Sequence, residues 1–385
     1  MSAARIFLYV QHLLGIGHFK RAATLAQALS AHGMQVTLAT GGLPVPHLLP
    51  SGVHIVQLPA ATAADLSFRS LVDEGGAPVD DAWRNHRREG LLKAWRESRA
   101  HALVLELFPF GRRQMRFELL PLLEEASRSA PRPVIVSSVR DVIAQGNPAR
   151  QDEMLALFER YFDHVLVHGD PQLIPFGRTF GHAARLGKRM HYTGFIVDRV
   201  QLPDTGAGSQ EVLVSAGGGA VGAELFDTAI LARPMTLARQ QTWRLLTGTQ
   251  LPSTQVNRLR ERAAGDGKLF VERSRADFRT LLRNCALSVS QAGYNTLMEI
   301  LDCRARAVVM PFAGGKETEQ ALRAKLLAER GRIGVVAEDR LTPQALAVAI
   351  DRAMVAPKPE RSDIDLDGGG KSAELLKAWT AGSAW

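Results

Sequence analysis

Four short runs put side chains suited to binding and proton transfer next to apolar stretches. The first is LLGIGHFKRA (13–22), where Gly15, Gly17 and His18 follow an apolar run and open a helical one. Glycines let the backbone turn sharply and let a ligand come close. An imidazole can take a proton near neutral pH. Arg21, three residues further on, falls on nearly the same helix face and can hold an anion or a carboxylate. Residue type alone leaves His18 open between a cap, a packing side chain and a base.

The second run is SAGGGAVGAEL (215–225), in which Gly217, Gly219 and Gly222 fit Gly-x-Gly-x-x-Gly. A dinucleotide site also needs an acid at the end of the next strand. The stretch ARQQTWRLLTGTQ (238–250) has no Asp or Glu, which argues against NAD and FAD. No Lys-Ser/Thr follows, so the run is not a P-loop either. It remains a glycine loop, Gly218 included, whose N–H groups can receive a phosphate beside a helix N-terminus.

The third run, SQAGYNTLMEI (290–300), leaves a buried-type strand and enters a helix. Gly293, Asn295 and Thr296 give that helix start small and polar groups suited to a phosphate. Glu299, one to two turns in, can accept hydrogen bonds from the two hydroxyls of a ribose. The fourth run, MPFAGGKETEQALRA (310–324), has a glycine loop followed by Glu317, Glu319 and Gln320. These can offer an acid and an amide to sugar hydroxyls. Acids in a first helical turn also serve the helix dipole, so an ordinary helix start explains the same residues.

The elements that carry these runs alternate along the whole chain. RIFLYV (5–10), VTLAT (36–40), VHIVQL (53–58), ALVLEL (102–107), PVIVSS (133–138) and HVLVH (164–168) read as strands, mostly with helix-length segments between them. A polar, Pro- and Gly-containing linker, QLPDTGAGSQ (201–210), precedes a second series: 211–217, 242–248, 268–272, 286–291, 306–312 and 333–338. Continuously apolar strands predict parallel sheets covered on both faces. The expected fold is α/β, with two Rossmann-like doubly wound domains facing a cleft. The expected bounds are 1–200, a linker at 201–210, 211–365, and a terminal helix within 366–385. Glu106, Arg112, Arg140 and Asp141 follow strands of the first domain at their carboxyl ends, where open α/β sheets bind ligands.

The third and fourth runs, in this order, resemble the donor half of nucleotide-sugar glycosyltransferases of the two-domain B-type fold. The likeness is to the group containing the lipid II-forming N-acetylglucosaminyltransferase. In that group a Ser-Gly-x-x-Thr-x-x-Glu run binds the nucleotide, which implies Gly293, Thr296 and Glu299 here. A following Pro-Phe-x(n)-Gln run contacts the donor sugar and implies Glu319 and Gln320; Arg323-Ala324 stands where the family often has Asn-Ala. The resemblance also implies that the terminal helix crosses back to the first domain. The Gly-x-Gly-His-x-x-Arg run is similar to UDP-sugar hydrolases of pseudaminic acid synthesis, which activate water with the histidine.

The activity so implied is an inverting transfer from a UDP-sugar, such as UDP-GlcNAc, to an acceptor hydroxyl. His18 is the expected base, Gly17, Arg21, Glu106, Arg112, Arg140 and Asp141 the acceptor side, and Gly217, Gly218, Gly219, Gly293, Asn295, Thr296 and Glu299 the nucleotide side. No metal and no cofactor are expected beyond the UDP-sugar co-substrate. A hydrolase using the same histidine, an epimerase and a non-catalytic nucleotide-sugar-binding protein are the alternatives.

Composition bounds the rest. The 385 residues are 46% hydrophobic and 22% charged, ordinary for a globular chain with a sizeable core. Cys285 and Cys303 are too few for a disulfide framework, which favours a reducing, cytoplasmic setting. No apolar run is long enough to span a bilayer. Net charge is +8, and residues 84–116 hold nine Arg and Lys against three Glu. That segment suggests either a solvated helix face or contact with an anionic acceptor or the inner membrane surface. It has no interleaved aromatics or zinc-finger spacing, so nucleic acid is not an expected partner.

Overall fold

In the computed structural model the described residues are 3–13, 15–65, 70–144, 146–199, 205–216, 222–248, 251–312, 318–360 and 363–381. They form two compact units, one of Met1–Val197 with Ile364–Trp385, the other of Asp198–Asp363.

The first unit begins β1 (Arg5–Val10), α1 (Gly17–Ala31), β2 (Gln35–Thr40), β3 (His54–Gln57), β4 (Ala61–Ala63), β5 (Leu71–Asp73) and α2 (Asp81–Ser98). It continues β6 (Ala102–Glu106), α3 (Arg116–Arg128), β7 (Val134–Arg140), α4 (Pro148–Tyr161), β8 (His164–His168), α5 (Ala183–Leu186) and β9 (Met190–Tyr192). The second unit holds β10 (Val212–Ser215), α6 (Ala223–Ala232), β11 (Trp243–Thr247), α7 (Ser253–Ala263), β12 (Leu269–Arg273), α8 (Phe278–Asn284) and β13 (Leu287–Gln291). It closes with α9 (Tyr294–Cys303), β14 (Ala307–Met310), α10 (Glu319–Glu329), β15 (Gly334–Val335) and α11 (Pro343–Val355). The chain then returns to the first unit as α12 (Gly368–Thr380).

Each unit is built on one parallel sheet. The first has strand order β3-β2-β1-β6-β7-β8-β9, the second β12-β11-β10-β13-β14-β15. The residues explain this. In β1, Phe7 and Tyr9 pack on the side of α2 and α3, while Ile6, Leu8 and Val10 pack on the side of α1 and α12. A strand buried on both faces needs apolar side chains at every position, hence RIFLYV. Helix starts are set locally: Asp80 accepts from the Trp83 N–H at 2.7 Å before α2, Asn147 from Arg150 at 2.9 Å before α4, and Thr342 from Ala345 at 3.1 Å before α11. Pro148 and Pro343 sit at the first helical position, where a missing N–H costs nothing.

In both sheets the strand order reverses at one place, between β1 and β6 in the first and between β10 and β13 in the second. Ligands of open α/β sheets bind at such switch points, beyond the carboxyl ends of the strands. His18 follows β1 and Glu106 ends β6. Gly222 follows β10 and Gly293 follows β13.

Some elements differ from the sequence reading. The run 333–338 yields only the two-residue edge strand β15, because Glu338–Arg340 turns into a 3-10 helix. The antiparallel pair β4–β5 and the short strand β9 were not expected. α12 packs on α1 so closely that a Cβ at Gly369 would lie 2.9 Å from Ala28 Cβ.

Candidate active site

In the first unit, His18 is the second residue of α1 and keeps 18% of its side chain exposed. Its Nδ1 lies 2.8 Å from Glu106 Oε1. Arg21, one turn on and buried, donates from Nη2 to the same oxygen. Arg140, the last residue of β7, brings its Nη2 to 3.4 Å from His18 Nε2. Four side chains from three sequence regions therefore meet at the switch point.

Their charges settle the protonation states. Burial opposes ionisation of Glu106, but His18, Arg21 and Arg112 outweigh it and hold the carboxyl well below the usual range. An ionised carboxylate only accepts, so Nδ1 of His18 is the donor toward Glu106 and the lone pair lies on Nε2. Burial, then Arg112 and Arg140, push the imidazole well below its ordinary value against the pull of Glu106. The positive end of α1 acts in the same sense. His18 is thus a neutral imidazole at pH 7, oriented by a carboxylate, the arrangement that lets a histidine accept a proton and stabilises the imidazolium it becomes.

Arg112 adopts a left-handed backbone, φ 58°, in the turn after β6. For a residue with a Cβ this costs about 1–2 kcal/mol. Asp141 is fully buried and accepts from the Val142 N–H at 3.0 Å. Gly17 starts α1 and is exposed. His12, beside the site and packed on Phe19 at 5.7 Å, is held down to about 4 by burial and Arg112.

Behind β1 lies a second buried group that the sequence did not reveal. Arg87 of α2 is fully buried and donates from Nε to Glu118 Oε2 at 2.7 Å, and from Nη2 to Gln11 Oε1 at 2.6 Å. Tyr9 donates to Glu118 Oε1 at 2.5 Å. Gln11 in turn donates to the His12 carbonyl at 2.8 Å, which braces the loop that leads to His18. Arg87 belongs to the basic segment 84–116, and most of that segment is neutralised within the chain. Arg84 pairs with Asp81, Arg96 with Glu125 and Arg116 with Glu153, at 2.8, 2.6 and 2.5 Å.

In the second unit, Gly293 is the N-cap of α9, with no side-chain cap on the helix. Among the described residues, a Cβ there would meet only Thr296 Oγ1, at 4.0 Å. Such a terminus attracts an anion. Glu299 lies on the covered side of α9, 5% exposed. Glu319 and Gln320 are the first two residues of α10; Glu319 is buried, and Gln320 Oε1 accepts from the Phe312 N–H at 3.1 Å. Arg323 is fully buried with its guanidinium 5.2 Å from the centre of the Tyr294 ring, so it ties α10 to α9. Gly217, Gly218, Gly219, Gly314, Gly315 and Glu317 lie outside the described residues. Gly222, the last glycine of that first loop, has φ 106°, and a Cβ on it would lie 2.2 Å from Ala216 Cβ. Only glycine fits there.

Among the described residues no helix is long and apolar enough to cross a membrane.

Residues 213–365 match the glycosyltransferase family 28 C-terminal domain. The chain is also similar to curated relatives named UDP-N-acetylglucosamine–N-acetylmuramyl-(pentapeptide) pyrophosphoryl-undecaprenol N-acetylglucosamine transferase. The protein of Caulobacter vibrioides is 25% identical over 370 residues, 93% of this chain and 91% of its own length. That of Anaeromyxobacter sp. (strain K) is 24% identical over 57% of this chain. This alignment spans less than half of the Anaeromyxobacter protein, 46% of its length. Among solved structures, the calicheamicin glycosyltransferase CalG4 superposes with TM-score 0.62 at 16% identity, covering 99% of this chain and all of CalG4. MurG of Acinetobacter baumannii gives 0.54 at 15%, covering 97% and 99%. Residues 213–365 therefore belong to the glycosyltransferase family 28 C-terminal domains, in a chain that has the B-type glycosyltransferase fold.

Proposed function

We propose that the chain is a glycosyltransferase that moves a sugar from a UDP-sugar to an acceptor hydroxyl, with inversion, without a metal ion, and with His18 as general base. The observation that carries this reading is the His18–Glu106 pair at the switch point of one sheet, in a chain whose other sheet is a family 28 domain. UDP-N-acetylglucosamine is the donor to try first, since the curated relatives are named for it. Their names also give a lipid-linked acceptor, and a lipid-linked sugar hydroxyl is the acceptor class proposed here.

The chemistry follows from the side chains. The acceptor O–H gives its proton to Nε2 of His18 as its oxygen forms a bond to the anomeric carbon. The bond from that carbon to the diphosphate oxygen breaks, and UDP leaves with the electron pair. One displacement inverts the anomeric centre. The imidazolium is stabilised by Glu106, then loses its proton to solvent. The N-terminus of α9, with Gly293, Asn295 and Thr296, is the proposed receiver of the diphosphate. Glu299 is the proposed partner of the ribose, and Glu319 and Gln320 of the donor sugar.

A thermal-shift screen of nucleotide-sugars tests the reading, because a true donor raises the melting temperature by linkage. A UDP-sugar should stabilise the wild type and His18→Ala alike, and stabilise Glu299→Ala less. UDP release should then require a hydroxyl acceptor and vanish in His18→Ala. Undiminished turnover in His18→Ala would remove the base from the mechanism. Equal UDP release with water alone would make the reaction a hydrolysis.

A further inference from the structure

Arg87 is fully buried on α2, and its pairing with Glu118 does not account for it. A buried ion pair adds little net stability, because desolvation offsets the attraction. The remaining bonds of Arg87 have a direction in common. Nη1 donates to the carbonyls of Gly41 at 2.8 Å and Pro59 at 2.6 Å, and Nη2 to Gln11 Oε1 at 2.6 Å. These partners follow β2, β3 and β1, at the carboxyl end of the sheet, where His18 also stands.

A guanidinium can only donate, so it turns the oxygen of the Gln11 amide toward itself. Nε2 of Gln11 then faces the other way, where it donates to the carbonyls of His12 at 2.8 Å and Ala61 at 3.0 Å. Gln11 is itself fully buried, so bulk solvent does not compete for this amide. The next residues continue the attachment. The Leu13 carbonyl accepts from the Ala63 N–H at 3.2 Å, and the His12 ring packs on Phe19, the neighbour of His18 on α1. A Cβ at Gly41 would collide with Arg87 Nη2 and Gln11 Oε1, and one at Gly42 with the His12 ring. The chain after β2 thus closes on the amide and on the ring.

We infer that Arg87 and Gln11 are positioning residues for His18: Arg87 orients the Gln11 amide, and the amide holds the chain after β1 so that α1 delivers the imidazole to Glu106. Both act through the backbone and not on a substrate. The consequence for turnover rests on the glycosyltransferase reading. The placement of the imidazole does not, and it is read on the imidazole itself.

The test is imidazole nitrogen NMR on the whole chain, with the His18 signals assigned by their loss in His18→Ala. In the wild type the proton should sit on Nδ1, as the contact with Glu106 requires. Gln11→Met keeps the length of the side chain and the Arg87–Glu118 pair but removes the amide. Arg87→Met combined with Glu118→Met removes both charges together, a change that buried ion pairs tolerate, and leaves the Gln11 amide unoriented. In both, the His18 nitrogen shifts should move toward the average of the two tautomers. The titration midpoint should rise toward the ordinary histidine value as the ring loosens into solvent. Met154→Ala, a core truncation on α4, should lower the melting temperature and leave the His18 signals as in wild type. On the glycosyltransferase reading, turnover should fall in the first two variants by up to about 10²-fold, the loss for a misplacement of about 1 Å. Melting curves report folding, and if the double variant does not fold, Gln11→Met alone decides. Wild-type His18 signals in the folded variants overturn the inference. So does an equal change in Met154→Ala, which would make the effect one of general loosening. Shifted His18 signals with undiminished turnover would uphold the placement and count against His18 as the base.

Discussion

Nδ1 of His18 lies 2.8 Å from Oε1 of Glu106, although the two are 88 residues apart in sequence. The contact exists because β1 and β6 are neighbours in the sheet, with Leu8 level with Val104 and Tyr9 with Leu105. One strand end delivers the helix that carries the imidazole, the next delivers the carboxylate. The pair fixes the tautomer of His18, with the lone pair on Nε2.

Replacing Glu106 by Gln tests that assignment. The amide can present its N–H₂ to Nδ1, which favours the wrong tautomer, and it cannot stabilise an imidazolium. Turnover should fall by about 10²–10⁴-fold, in the range of a lost acid–base group or a misassigned tautomer. UDP binding, measured by calorimetry, should persist. The variant also removes the carboxylate to which the buried Arg21 donates, so a lower melting temperature is expected alongside. Turnover within about threefold of wild type, far short of that range, would show that Glu106 does not serve His18.

The pH profile has a definite sign. His18 titrates below its ordinary value because burial, Arg112 and Arg140 outweigh Glu106. The acid limb of kcat/KM should therefore lie below about pH 6.5, the unperturbed histidine value. Arg140→Gln removes a positive neighbour 3.4 Å from Nε2, which makes protonation easier and moves the limb to higher pH. A limb that stays in place or moves down would mean that Arg140 does not act on the base.

The two parallel sheets were legible in the sequence because strands buried on both faces cannot hide their composition. RIFLYV is apolar at both the Phe7, Tyr9 face and the Ile6, Leu8, Val10 face. The three-residue β9 has little apolar pattern because edge strands need little apolar surface, while the apolar run 333–338 overstates the two-residue β15. Glu106 was placed near the acceptor side by its position at a strand end, but its role as the partner of His18 depends on strand order, which no local pattern encodes. An acid closing an otherwise apolar strand was the available hint. Arg87 is the clearest case of the limit. In sequence it is one cation in a basic run; its burial is understandable only with Glu118 on α3 and Gln11 after β1 opposite it.

Gly222 lets the donor side be tested without touching a charged group. Its φ of 106° and the 2.2 Å that would separate a Cβ from Ala216 Cβ both forbid a side chain. Gly222→Ala should cost about 1–3 kcal/mol through backbone strain and overpacking. The strain falls on the turn that opens α6, so UDP affinity should weaken, while His18 should keep its NMR titration midpoint. A variant as stable as wild type that binds UDP equally well would show that this turn neither needs glycine nor shapes the donor side.

His168 makes a separate prediction about acid stability. It is fully buried, with Nε2 2.7 Å from Ser138 Oγ and Nδ1 2.9 Å from Thr193 Oγ1. Burial, with Arg21 adding to it, pushes its value down to about 3. The unfolded chain binds a proton at this residue below about pH 6.5, and the folded chain refuses it until about pH 3. Its contribution is thus fully present above pH 6.5 and is lost progressively as pH falls from there toward 3. The loss is about 1.4 kcal/mol for each unit of pH well inside that window. Glutamine at 168 retains hydrogen-bonding capacity but does not titrate. Urea unfolding of the first unit, followed at several pH values from 7 down to 5, should show a shallower loss of stability in His168→Gln than in wild type. Equal slopes would mean that His168 takes up its proton in the folded chain as readily as in the unfolded one, so that burial does not hold its value down.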